Sequence, residues 1–154
     1  MPRPREEASV SAAHGCWGED VAAEFLRRGG FVIVDRNSRP SARDRRLEID
    51  IVAWERSTDT MVFVEVKQHA TLSPYARRLR SVDRRKRVNL RRACNAWRRA
   101  NRWRGGYRFD VIEIYGVPEG GRVYGLAVKG MKPGEYTVSP ADESRLPDGC
   151  KTLK

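Results

Sequence analysis

Residues 47–67 decide the fold of this chain, and they read LEIDIVAWERSTDTMVFVEVK. The runs 47–54 and 61–67 are rich in β-branched and aromatic residues, which are typical of strands. The polar connection 55–60 is short, and such connections usually join antiparallel strands in a hairpin. The sequence therefore predicts a β-hairpin in the first half of the chain.

Alternation along the first hairpin strand places two sets of side chains on opposite faces: Leu47, Ile49 and Ile51 on one, Glu48 and Asp50 on the other. With a turn centred on residues 57–58, Asp50 lies opposite Glu65, and Glu48 lies opposite Lys67. Like charges opposed on neighbouring strands repel, so Asp50 and Glu65 favour a compensating divalent cation. Carboxylate pairs backed by carbonyls and water hold Mg²⁺ for phosphate chemistry. The alternative is a solvated sheet face that these charges merely decorate.

Two helices are predicted, over about 16–28 and about 83–104, because apolar residues recur there on one helical face. Each is followed directly by a Gly-Gly pair, which is expected to end it. Ser81 or Asp83 can cap the start of the second helix.

The remaining apolar runs complete a sheet. Strands are expected at 31–34, before the hairpin, and at 109–114 and 123–128, after the second helix. The order α-β-β-β-α-β-β predicts an α/β fold, a mixed β-sheet flanked by helices. The long helix between the third and fourth strands suggests a crossover, which would make part of the sheet parallel.

Charge is concentrated in one segment. The chain has 31 Lys and Arg against 20 Asp and Glu, a net charge of +11. Residues 77–104 hold 13 of the basic residues and one acid, so the rest of the chain is close to neutral. Such a one-sided run favours a nucleic-acid partner over an ordinary solvated helix face, which usually mixes both signs.

Several classes of protein are disfavoured. No run approaches the ~20 consecutive apolar residues of a membrane span, so no membrane partner is expected. The first residues lack the apolar segment of a signal peptide. The three cysteines are far apart and in no CxxC spacing, which favours the reducing cytoplasm over a disulfide or zinc framework.

The two hairpin motifs, Leu47-Glu48-Ile49-Asp50 and Phe63-Val64-Glu65-Val66-Lys67, resemble the PD-(D/E)XK nuclease superfamily. Three further motifs bring the chain closer to one family: Gly18-Glu19-Asp20-Val21-Ala22, Arg36-Asn37 and Arg108-Phe109-Asp110-Val111. Together the five motifs resemble the YraN family, also called UPF0102, small bacterial proteins related in fold to archaeal Holliday-junction resolvases. The resemblance covers about residues 15–115 and implies a restriction-endonuclease-like fold.

The resemblance also implies roles for individual residues. Asp50 and Glu65 would bind Mg²⁺ or Mn²⁺, with the backbone carbonyl of Val66 as a further ligand. Lys67 would position or activate the attacking water and neutralise charge on the phosphate. Glu19, on the first helix, would reach the metal directly or through water.

Three positions, Glu48, Leu47 and His69, lie beside this set in the sequence. Glu48 matches the motif's other acid, but it can equally be a salt-bridge partner of Lys67, and it ranks second. Leu47 stands where the motif usually has glycine, and His69 stands where arginine usually follows. His69 is a candidate phosphate contact, and the alternative is an incidental loop histidine.

The basic helix is expected to bury one stripe of residues: Leu90, Ala93, Cys94, Trp97 and Ala100. Extended one turn back, the stripe meets Lys86, which is either a phosphate contact or a lysine snorkelling past the core edge. The outward arginines would hold phosphate without reading sequence: Arg84, Arg85, Arg87, Arg91 and Arg92. Trp103, near the exposed end, is a candidate for stacking on a base.

The expected function is a metal-dependent endonuclease that selects branched, flap or single-stranded DNA by structure. One alternative is a non-catalytic nucleic-acid-binding module, and another is an RNA-binding or ribosome-associated protein. DNA is the favoured partner, RNA the second, and a homodimer is a further expectation. The expected division is a flexible tail at 1–13, one PD-(D/E)XK-like domain at 14–128, and an extension of unassigned role at 129–154.

Overall fold

The computed structural model describes residues 6–69, 84–117, 122–132 and 135–140, with side chains described over 17–68 and 84–114. Its elements, in chain order, are α1 (Glu6–Arg28), β1 (Phe31–Ser38), β2 (Ile49–Glu55), β3 (Thr60–His69), α2 (Arg84–Ala100), β4 (Gly106–Val117), β5 (Arg122–Lys132) and β6 (Glu135–Pro140).

The described strands form one mixed sheet in the order β1-β2-β3-β4-β5-β6. All neighbours pair antiparallel except β3 and β4, which are parallel. A parallel pair needs a crossover, and α2 provides it. The predicted α/β class, element order and crossover are confirmed.

Each face of the central sheet is covered by a helix. On one face, α1 packs Phe25 and Leu26 against Ile51 and Val64. On the other face, α2 packs Cys94 and Trp97 against Val52 and Phe63. Because both faces are covered, every residue from Met61 to Val64 is buried.

The predicted hairpin register is confirmed. Paired residues run from Glu55 opposite Thr60 to Ile51 opposite Val64, so that each step matches a turn centred on residues 57–58. The predicted alternation at the start of β2 is wrong. Leu47 and Ile49 pack in the cluster under α2, whereas Ile51 packs under α1. The alternation breaks at Asp50, where the pairing with β3 has ended.

The first helix ends where predicted, and the second ends earlier. The Gly29 N–H donates to the Phe25 carbonyl, and Gly30 has a φ of 85°. In α2, Arg102 adopts the left-handed conformation with a φ of 54°, and the Trp103 N–H donates to the Arg98 carbonyl at 2.9 Å. This hydrogen-bond pattern is a Schellman C-cap, here formed without glycine.

Both chain ends carry more structure than expected. The first helix begins at Glu6, so residues 6–13 are helical and do not form a tail. Ala8, Ala12 and Ala13 favour a helix without any apolar periodicity. At the other end, β5 extends to Lys132 and β6 pairs with it, so the expected extension begins within the sheet.

Other predictions about the ends stay untested. Residues 1–5 and 141–154, and the two cap candidates Ser81 and Asp83, lie outside the described residues. The boundaries of the single domain remain a prediction. Among the described elements, no helix combines the length and the apolar character needed to cross a bilayer.

Phe63→Ala tests the packing under α2. The Phe63 side chain is 2% exposed, and its ring centroid lies 5.5 Å from that of Trp97 in an edge-to-face contact. Truncation leaves a cavity between sheet and helix, so we expect the free energy of unfolding to fall by about 3–5 kcal/mol. Urea denaturation measures it.

Val88→Ala is the matched control, since Val88 on α2 is 48% exposed. It should change the free energy of unfolding by less than about 0.5 kcal/mol. Equal losses in the two variants would contradict the assigned core.

Candidate active site

The site begins where β2 and β3 part. The ladder ends at the Ile51–Val64 pair, and continuing its register puts Asp50 opposite Glu65. Instead of continuing the ladder, the Val66 N–H donates to Asp50 Oδ2 at 2.7 Å. The side chain of Asp50 therefore lies in the gap between the strands and replaces a backbone bond.

Asp50 is held in an environment that disfavours its charge. Burial raises its pKa to about 7, and the nearby carboxylates of Glu65 and Glu19 add to the effect. The hydrogen bond from Val66 and the charge of Lys86 act in the opposite direction. Negative charge is thus in excess around Asp50, and a bound cation or proton would relieve it.

Glu65 is the common partner of two lysines. Its side chain is 4% exposed, and Oε1 lies 3.1 Å from Lys67 Nζ. Lys86, from α2, contacts the same oxygen. Burial alone would lower the pKa of Lys86, but the hydrogen bond and charge of Glu65 raise it overall. Lys86 is therefore charged at neutral pH, which suits charge stabilisation better than general-base chemistry.

The first helix brings Glu19 to the same end of the sheet. A Cβ on Gly18 would lie 2.9 Å from Oε1 of Gln68 on β3, so the missing side chain lets α1 approach the strand closely. Glu19 Oε2 lies 3.7 Å from an Arg36 nitrogen, which also bonds to Asp20 at 2.8 Å. The Arg36 guanidinium thus holds Glu19 beside Asp50.

Lys86 points to the sheet as predicted, and the buried stripe of α2 is confirmed except at Ala100, which is exposed. Glu48 does not contact Lys67. It is partly exposed and lies 3.8 Å from Arg39, because Lys67 is already held by Glu65. The salt-bridge alternative for Glu48 is therefore wrong.

The outward arginines of α2 fall into two groups. Arg84, Arg85, Arg87 and Arg91 are exposed. Arg92 is exposed as well, but it lies 3.4 Å from Asp44, whose pKa is lowered by hydrogen bonds from Arg46. The side chain of His69 lies outside the described residues.

Glu113 was missed by the sequence analysis. It is 1% exposed and lies in register with Lys67 on the parallel neighbour strand. Its neighbours Ile112 and Ile114 face α1, so Glu113 shares the α2 face with Lys67. The sequence signal that could have indicated a buried acid is the position of Glu113 between two isoleucines, in a strand of a sheet that helices flank.

The last motif of the resemblance does not reach the site. Arg108 binds Glu55 and Asp110, and Arg108 lies opposite Val62, five positions before Lys67 on β3. Burial raises the pKa of Asp110, while Arg108 opposes that rise. This network joins β4 to the hairpin at its turn end.

The donor set fits a hydrated cation better than a protein cage. Within the described ranges, no three Asp, Glu, His or Cys side chains gather closely enough to enclose a metal ion. Mg²⁺ commonly takes only one or two carboxylates, with water and substrate phosphate completing its shell. Asp50, Glu65 and the Val66 carbonyl are the groups that would supply such a partial set.

Asp50→Asn tests whether the charge of Asp50 destabilises the folded protein when no metal is bound. Native Asp50 binds its proton more tightly than the unfolded chain, with a pKa of about 7 against 3.8. Wild-type stability therefore falls as pH rises from about 4 to 7, whereas asparagine does not titrate. In EDTA at pH 8 we expect the free energy of unfolding of the variant to exceed that of the wild type by a few kcal/mol, the size that the pKa shift of Asp50 implies. Little gain is expected at pH 4.

Thermal denaturation across that pH range measures the effect. Glu48→Gln removes a partly exposed carboxylate two residues away and should give no gain that grows with pH. A pH-independent difference for Asp50→Asn would contradict the buried, charge-opposed environment.

Comparison with known proteins places these residues in a recognised family. The model of "Uncharacterised protein family UPF0102" matches residues 18–114, which include Glu19, Asp50, Glu65 and Lys67. The chain is 48% identical over 59 residues to a UPF0102 protein of Syntrophotalea carbinolica, covering 38% of this chain and 43% of that protein.

A second relative, UPF0102 protein Mpe_A3766 of Methylibium petroleiphilum, is 44% identical over 66 residues, covering 42% of this chain and 53% of the relative. The chain thus spans about half the length of the curated relatives that it matches. Because the family model spans most of the chain and all the site residues described above, the chain belongs to the uncharacterised protein family UPF0102.

Proposed function

We propose that this protein hydrolyses phosphodiester bonds in DNA at the site formed by Asp50, Glu65 and Lys67. The observation that carries the proposal is the meeting of a buried carboxylate, Glu65, and a partly buried one, Asp50, with two lysines where β2 and β3 part. The resemblance of the hairpin motifs to the PD-(D/E)XK nucleases supports the same reaction.

Each residue has a role that its surroundings support. Asp50, Glu65 and the Val66 carbonyl would hold Mg²⁺ or Mn²⁺, with Glu19 in direct or water-mediated reach. When bound, such an ion polarises a phosphoryl oxygen and lowers the pKa of a bound water. Lys67, only 25% exposed, donates to the attacking water or to a phosphoryl oxygen. Burial strengthens that donation, because little water competes with it.

Lys86 would serve the substrate from the second helix, α2. Its ammonium contacts Glu65 but is 44% exposed, so it can also meet a phosphate arriving along α2. Glu65 holds the two ammonium groups on one oxygen, and they offer positive charge where negative charge grows on the phosphate.

The substrate is proposed to be branched, flap or single-stranded DNA. Exposed arginines on α2 can neutralise phosphates, and such contacts position a nucleic acid without reading its sequence. RNA is the second candidate substrate. The widely spaced cysteines, of which Cys94 is a buried thiol, favour the cytoplasm as the setting.

A non-catalytic binding module is the alternative that one contact favours. The two lysines already balance the charge of Glu65. Such balance would serve a protein that only holds nucleic acid. Catalysis needs a second carboxylate as well, and Asp50 supplies it beside Glu65.

A cleavage assay tests the proposal. Duplex, single-stranded, flap and four-way-junction DNA, and RNA, are incubated with the protein in EDTA, Mg²⁺ or Mn²⁺. We expect metal-dependent cleavage of the branched or single-stranded DNA. Asp50→Ala and Lys67→Ala should each lower the rate by about 100-fold or more, because each removes a group acting on the reacting phosphate.

Glu48→Ala is the matched control, and it should retain the wild-type rate because Glu48 pairs with Arg39 outside the site. Cleavage that persists in both site variants would indicate a contaminant and end the nuclease assignment. Binding without cleavage under every condition would favour the non-catalytic module.

The exposed arginines of α2 form the proposed docking surface for nucleic acid. Changing Arg84, Arg85 and Arg91 together to Gln should flatten the salt dependence of duplex binding, by about 0.9 in log–log slope for each phosphate that these side chains no longer neutralise. Binding titrations at several salt concentrations, in EDTA, measure the slope.

The charge-matched control for this triple variant changes Arg27, Arg28 and Arg56 to Gln. The first two are exposed on α1, across the sheet from α2, and Arg56 is in the hairpin turn. An equal change of slope in both triple variants would show that α2 is not the docking surface.

A further inference from the structure

A second basic feature lies at the far end of α2. There lies a cavity of about 440 Å³, which we call the basic cavity. Its lining residues are Asn95, Arg98, Arg99, Arg102, Trp103 and Arg104. At a rise of roughly 1.5 Å per residue, Arg98 lies about 18 Å along the helix axis from Lys86. The basic cavity is therefore separate from the site at Asp50 and Glu65.

The positive charge of the basic cavity is not balanced within the described part of the chain. Several other arginines are paired, as Arg92 is with Asp44 and Arg108 is with Glu55. No ion pair among the described residues includes any of the four cavity arginines. Four cations around one concave surface attract an anion with several negative groups.

The walls of the basic cavity are held in place. The guanidinium carbon of Arg98 lies 3.8 Å from the ring centroid of Tyr107, and its buried Nε has no hydrogen-bond partner. Trp103 Nε1 donates to the Gly106 carbonyl at 3.0 Å. A Cβ on Gly105 would come within 2.6 Å of the Trp103 ring, so glycine permits the ring to lie there. The left-handed cap at Arg102 fixes the backbone between them.

We propose that the basic cavity binds single-stranded DNA, with its arginines on phosphates and a base stacked against Trp103. Guanidinium groups bind phosphate oxygens in a bidentate manner, and an indole ring stacks on any base. The inference rests on the proposed function and deepens it. A protein that cuts near Asp50 and holds a single strand about three helical turns away along α2 would select substrates in which such a strand emerges.

Oligonucleotide binding in EDTA tests the basic cavity without cleavage. The probes are fluorescent oligo(dT) of about 4 and about 16 nucleotides, lengths that span single-strand site sizes. The variant changes Arg99, Arg102 and Arg104 to Gln and leaves Arg98 on Tyr107. We expect it to bind the longer probe about tenfold or more weakly than the wild type. Its salt dependence should flatten by about 0.7 in slope for each phosphate that is no longer neutralised.

The charge-matched control is again the triple Gln variant at Arg27, Arg28 and Arg56, which should bind close to wild type. Trp103→Phe keeps an aromatic ring but loses the indole, and it should lose most of the tryptophan quenching caused by the probe. Circular dichroism confirms that each variant is folded.

The outcomes separate the two proposals. Equal binding by the cavity variant and its control would overturn the basic cavity as a DNA site, while cleavage at Asp50 would stand. Wild-type protein that binds the probe but cuts no substrate would overturn the nuclease and leave the cavity in place. Wild-type protein that binds neither probe and cuts no substrate would overturn both.

Discussion

The buried carboxylate of Glu65, which two lysines contact, is the constraint on which the rest of the structure depends. A buried charge is costly unless it is paired, and Glu65 is paired twice through one oxygen. Lys67 comes from the same strand, whereas Lys86 comes from α2, so the double contact ties the crossover helix to the sheet. Removing either lysine would leave the negative charge less well balanced at the point where β2 and β3 part. The fold and the candidate chemistry therefore share the same contacts.

Asp50, beside Glu65, is in an environment that destabilises its charge. Its carboxylate replaces a backbone partner for Val66 and lies among charges of its own sign. A side chain that lowers the stability of the protein at neutral pH needs a compensating benefit, and groups with strongly shifted pKa values concentrate at functional sites. Under the proposed function the charge of α2 complements Asp50, because a positive surface would attract the phosphate that completes the ligands of the metal.

Features set by local pattern could be predicted from the sequence. The register of the hairpin followed from its short turn, and the inward direction of Lys86 followed from helical periodicity. Features that depend on contacts between residues distant in sequence could not be predicted. Glu113 is buried because β3 lies parallel beside its strand. The cap at Arg102 is accompanied by packing of the Trp103 ring against Gly105. The reversal of faces at Asp50 likewise depends on where β2 leaves β3.

The bulge in β1 has a consequence for self-association. β1 is the outermost strand on its side of the described sheet, and its pairing with β2 shifts register between Ile33 and Asp35. Such an irregularity twists a strand and interrupts the even row of donors and acceptors that another strand would need. The charged side chains of Asp35 and Arg36 follow directly. Strand addition along this edge of the described sheet is thereby disfavoured.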